Sequence, residues 1–111
     1  MSYNALNFSA NDFNIAGHFQ TIFDSINADI ILMQEMTDDA GCDTLLNRLN
    51  SGEQEYARAE FVDGYDTDNM LFYRTSKCIL ISKDTIQTDL RDISEYVLKS
   101  ITMKLDCIAV I

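Results

Sequence analysis

Ala28-Asp29-Ile30-Ile31-Leu32-Met33-Gln34-Glu35-Met36 is the stretch on which the fold turns. Ile30 to Met33 is a continuous apolar run, the pattern of a strand buried on both faces, and polar Gln34-Glu35 stands at its C-terminal end. Asn27-Ala28-Asp29 breaks whatever precedes it. On the N-terminal side, Ser2 to Phe8 reads as a short strand. Asn11 or Asp12 then caps a helix to about Ile26, because Ile15, Phe19, Ile22, Phe23 and Ile26 recur at steps of three and four. On the C-terminal side, Thr37-Asp38-Asp39 supplies capping oxygens, and Cys42, Leu45, Leu46 and Leu49 carry a second helix to about Asn50.

Beyond Ser51-Gly52 the pattern shifts to strands at Tyr56–Val62, Asn69–Arg74, Lys77–Ser82, Ser94–Lys99 and Ile101–Ile111. Asp63-Gly64, Thr75-Ser76 and a polar stretch from Asp84 to Asp92 separate them. Two strand-helix units followed by a meander predict an α/β fold: a mixed, largely antiparallel sheet with two helices on one face. A length of 111 residues fits one domain, residues 1–111.

Composition excludes several functions. With 18 Asp and Glu against 8 Lys and Arg, the formal charge is −10, and such a surface repels phosphate backbones and anionic membranes. Nucleic acid is then a substrate only if divalent cations or other segments offset that charge. Cys42, Cys78 and Cys107 lack paired CxxC spacing, which disfavours zinc and gives no disulfide framework. No run reaches the length of a membrane span, and no basic-then-apolar leader opens the chain, so location stays unknown. The immediate start of a strand at Ser2 suggests a cut from a longer parent, a secreted one included.

Two positions carry chemistry. A hard divalent cation binds oxygen ligands, often one or two carboxylates with water and substrate phosphate, and Glu35 at a strand end is a suitable donor. Asn4 supplies a neutral amide oxygen or orients a metal-bound water. Both lie where open α/β sheets place ligands, outside the carboxyl ends of strands. Asp63, Asp66 and Asp68 lack the central Gly and closing Glu of an EF-hand and read as a solvated hairpin turn. His18, the single histidine, sits inside the first helix with no supporting motif for a triad.

Three segments together resemble the endonuclease/exonuclease/phosphatase family. They are Ser2-Tyr3-Asn4-Ala5-Leu6-Asn7-Phe8, Ala28 to Met36, and Asn69-Met70-Leu71-Phe72-Tyr73-Arg74-Thr75-Ser76-Lys77, matching in order and spacing over roughly residues 2 to 99. The apolar strand ending in Gln34-Glu35 is the most specific of them. The resemblance implies half of a four-layered α/β/β/α sandwich, with one mixed sheet whose second face lacks its partner. It also implies a Mg2+- or Mn2+-dependent hydrolysis of phosphate esters, with Asn4 and Glu35 as the first two residues of the metal site. The family's further histidine on a following strand, mid-domain Asp-x-Asn pair and late Asp-His pair are not found in these 111 residues. The chain is therefore expected to be a truncated member, inactive alone. The alternative is an interaction module that forms a homodimer through its open sheet face.

Overall fold

The computed structural model describes residues 1–103 and 106–111. Strand β1 (Ser2–Phe8) leads into a 3-10 turn at Ala10–Asp12 and helix α1 (Phe13–Ile26). Asp12 holds the N-cap position of α1, as expected, but makes no side-chain cap bond there; the turn before it is capped by Ser9. Its hydroxyl accepts the Asn11 N–H at 3.2 Å, and the Asp12 carboxylate returns to the Ser9 N–H at 2.9 Å. The Ser9 N–H bond first, and the Ser9 hydroxyl, which donates to the same carboxylate at 2.8 Å, second, hold the Asp12 carboxyl below its ordinary pKa.

Helix α1 stops because Asn27 turns left-handed at φ 53°, which closes its N–H onto the Phe23 carbonyl at 2.8 Å. The buried line of α1 is Ala16, Phe19 and Phe23, whereas Ile15 and Ile26 of the expected stripe are about half exposed. Aromatic fit selects that line. Phe19 meets Tyr3 and Phe8 edge-on at 5.5 and 5.3 Å, and each buried aromatic ring is worth about 1.5–3 kcal/mol.

Strand β2 (Ile30–Met36) runs parallel to β1 and continues through Gln34 and Glu35. Helix α2 (Asp39–Leu49) buries Cys42, Leu45 and Leu49. Its cap, Asp38, accepts the Gly41 N–H and also the Ala10 N–H, the latter at 3.2 and 3.3 Å from its two oxygens. Gly41 is required here, since a Cβ would lie 2.9 Å from Asp38 Oδ1 and 3.0 Å from the Ser9 carbonyl carbon. Strand β3 covers only Tyr56–Arg58, shorter than the expected Tyr56–Val62: the Ala59 N–H bonds the Leu71 carbonyl, and the chain then leaves the sheet. Strand β4 (Asp68–Arg74) pairs antiparallel with β2 and β3, giving the order β1-β2-β4-β3.

The single-sheet expectation is corrected from this point. Strands β5 (Cys78–Ile86), β6 (Ile93–Ser100) and β7 (Asp106–Val110) form a second, antiparallel sheet in the order β5-β6-β7. The last of these lies within the expected Ile101–Ile111, of which Lys104 and Leu105 fall outside the described residues. Strand β5 does not pair back onto β4; it pairs with β6 along its length. Ser94, Tyr96 and Leu98 alternate inward, and Tyr96 and Leu98 join Leu71 in one core at 0% exposure. The Tyr96 hydroxyl donates to the Asn69 carbonyl at 3.3 Å, and Asn69 Nδ2 donates to the Ile111 carbonyl at 3.1 Å. The sheet face expected to stand open is thus partly closed by strands of this same chain. What remains open is the outside of the second sheet, where Ile79, Ile81 and Ile86 are each about half exposed. Two helices beside mostly antiparallel strands fit half of an α/β/β/α sandwich, as expected.

Buried Arg74 fastens the end of β4. Its guanidinium pairs with Asp29 at 2.8 Å, donates to Asn27 Oδ1 and to the Tyr56 hydroxyl at 2.9 Å, and lies 5.3 Å from the Tyr56 ring.

Candidate active-site cavity

Asn4 and Glu35 line one cavity of about 300 Å³, together with Gln34, Thr67, Asn69, Arg91, Asp92, Ile93 and Ile111. Parallel pairing sets Asn4 opposite Gln34, so β1 and β2 deliver both candidate residues to the same sheet end. Both strands also break regularity there. The β1–β2 register shifts between Asn4 and Phe8, and the β2–β4 register shifts between Met33 and Met36. Leu6, Asn7 and Glu35 have φ of 55°, 60° and 59°, a region that costs a non-glycine residue about 1–3 kcal/mol. Such bulges re-aim side chains, and this one carries Glu35 into the cavity.

Each candidate side chain is already engaged. Asn4 Oδ1 accepts the Leu6 N–H at 2.8 Å, which holds the turn after it. Glu35 Oε1 lies 3.5 Å from Arg91 Nη1, with its side chain 18% exposed. The other end of the guanidinium, Nη2, lies 3.5 Å from Asp66 Oδ2. In this arrangement the Glu35 carboxylate already faces a permanent cation, and the Asn4 amide oxygen is turned to its own backbone. Among the described residues, no three His, Cys, Asp or Glu side chains converge as metal ligands.

A neighbouring hollow of about 440 Å³ lies between the 62–68 and 85–92 loops and includes Asp63, Asp66, Asp68, Asp89 and Asp92. Asp63 and Asp66 are exposed as expected of a turn, but Asp68 is not solvated. It is 8% exposed and accepts the Gly64 N–H on both oxygens at 3.0 and 3.1 Å. Burial raises its pKa, against the opposing effect of the Gly64 bond. His18 is exposed on α1 and does not line the cavity. Cys42 is inert, its thiol pushed up to about 12 by burial.

Arg91 is the residue that sequence reasoning missed, because it fell in the polar Asp84–Asp92 connection. One signal was there: it is a basic residue between Asp89 and Asp92 in a chain with only 8 Lys and Arg.

The strand-helix order, the strands of a second sheet and a cavity at the β1–β2 end define the fold of the endonuclease/exonuclease/phosphatase family. Three solved structures display the likeness over 98% of this chain. They are D. rerio TDP2 complexed with single strand DNA product (TM-score 0.67, 19% identity), an endonuclease/exonuclease/phosphatase family protein from Bacteroides thetaiotaomicron (0.71, 18%) and the mannosyl-6-phosphatase of Bacteroides thetaiotaomicron VPI-5482 (0.67, 18%). The chain spans 43%, 48% and 48% of their respective lengths, less than half of each. No family model and no curated protein sequence matches it. Among the described residues, no helix is long and apolar enough to cross a membrane.

Proposed function

We propose that residues 1–111 are one partial domain carrying the opening part of a phosphate-ester hydrolase site, and that the chain turns over no substrate alone. The observation that carries this reading is the meeting of Asn4 and Glu35 in one cavity, at a strained, bulged end of two parallel strands. The reaction class comes from the family resemblance, and Mg2+ or Mn2+ belongs to the whole enzyme. Glu35 is the carboxylate available to such a cation, and Asn4 the neutral oxygen beside it. Asp92 is the cavity's other carboxylate, and no histidine stands among its described lining residues. A phosphate ester is the substrate class; a nucleic acid is one such ester, as in the TDP2 complex, although a charge of −10 opposes a polyanion.

Incubating the purified chain with bis(p-nitrophenyl) phosphate and Mg2+ tests the proposal. The expected rate equals that of Glu35→Ala. Turnover lost on that substitution would overturn the claim of an incomplete site.

The exposed isoleucines of β5 favour a second reading, an interaction module that forms a homodimer. The dimerising surface is then the outside of the second sheet rather than the first sheet's face. Light scattering that finds a monomer at every concentration would sink it.

A further inference from the structure

We propose that Arg91 is a tethered cation occupying the place beside Glu35 that a divalent metal would take, so that this chain's half-site is closed by its own guanidinium. The inference rests on reading Glu35 as a metal-site residue. Three observations carry it. Glu35 is delivered into the cavity by a backbone conformation that non-glycine residues seldom adopt, φ 59°, and the cation it meets there is Arg91 at 3.5 Å. Asp66 takes the far side of the same guanidinium at 3.5 Å, so two loops hold one positive charge between two carboxylates.

Arg91 also arrives on a built turn. The Thr88 hydroxyl donates to the Arg91 carbonyl at 2.7 Å and accepts the Leu90 and Arg91 N–H groups at 3.2 Å each. That threonine turn fixes where the arginine side chain starts.

A divalent ion bound at Glu35 would lie within a few ångströms of the Arg91 guanidinium, and like charges that close repel. The block is removable. Arg91 is 59% exposed, so water screens the pair and the side chain swings out at modest cost. Divalent cations are therefore weakened at Glu35 rather than excluded.

Titrating the full chain with Mn2+, with free Mn2+ read by electron paramagnetic resonance, tests this without any activity assay. Arg91→Gln is expected to bind one Mn2+ roughly tenfold more tightly than wild type, the scale of a partly screened charge contact. Arg91→Lys keeps the charge and most of the block. Lys77→Gln, the same charge change on an exposed residue outside the cavity, gives no gain. Adding Glu35→Gln to Arg91→Gln abolishes the gain. Circular dichroism checks the fold, which an exposed arginine does not hold together.

Equal Mn2+ affinity in wild type and Arg91→Gln overturns the proposal. If Glu35→Gln then weakens binding in both, Glu35 remains a metal residue and only the plug is wrong. If Glu35→Gln changes nothing in either, the reading of Glu35 falls as well.

Discussion

The β1-β2-β4-β3 sheet and the β5-β6-β7 sheet are built from similar residues but differ in how many layers cover them. Helices α1 and α2 lie on one face of the first sheet, and the second sheet covers part of the other. Strand β4 is accordingly buried at Asp68, Met70, Leu71, Phe72 and Arg74, on both of its faces. Among the described residues of the second sheet, only Ser94, Tyr96 and Leu98 of β6 and Cys78 of β5 are buried, while isoleucines stand outside. A strand apolar on both faces is adapted to two covers. The second sheet has one cover, and its outer side mixes Ile79, Ile81 and Ile86 with Ser82, Asp84 and Lys99, so those side chains contribute little to stability.

Substitutions along the two sheets put this contrast at risk. Phe72→Ala empties a fully buried site in the doubly covered sheet and is expected to cost about 3–5 kcal/mol, read as a lower urea midpoint at unchanged slope. Arg74→Ala comes next, at about 2–4 kcal/mol: it removes the partner of Asp29, Asn27 and Tyr56 at once, though Asp29 keeps half its exposure to water. If Arg74→Ala costs nothing, the fastening at the end of β4 is not part of what makes the first sheet the stable one.

Asp68 gives a smaller effect with a defined sign. Its pKa is raised in the folded chain by burial first, so folding is favoured by its protonated form, and that contribution is lost as pH rises through the raised value. Asp68→Asn is expected to raise the melting temperature at pH 7. It should also flatten the stability profile just above the ordinary carboxyl value of 3.8, as thermal melts across that range would reveal. A loss at pH 7 would mean that the Gly64 bonds outweigh the burial penalty. Smallest of all, Ile81→Ser on the outer face should change stability by less than about 0.5 kcal/mol while reducing self-association in light scattering. A cost near that of Phe72→Ala would show that the outer face is covered in solution.

Local chemistry made much of this legible in the sequence. The apolar run Ile30–Met33, the capping oxygens of Asp38 and the turn residues between strands each act within a few residues, and the corresponding elements formed. The division into two sheets was not legible, because alternation in β5 and β6 is the same whichever sheet they join, and only long-range pairing decides. Periodicity put Ile15 on the core side of α1; packing against the rings of Tyr3 and Phe8 turned Ala16 there instead. At the site, Asn4 and Glu35 were readable from their strand ends. Arg91 was not, since its ion pair with Glu35 spans a separation in sequence that no local pattern encodes.

The carboxylate of Asp38 serves the N-terminus of α2 and the start of the turn before α1 together. The Gly41 bond is local to α2, but the Ala10 amide is satisfied only once segments 28 residues apart have met, so the turn before α1 leans on a cap that α2 forms for itself. Hydrogen exchange should then find the Gly41 amide protected at least as well as that of Ala10. Replacing Asp38 would release both amides and uncouple the start of the first helix from the second.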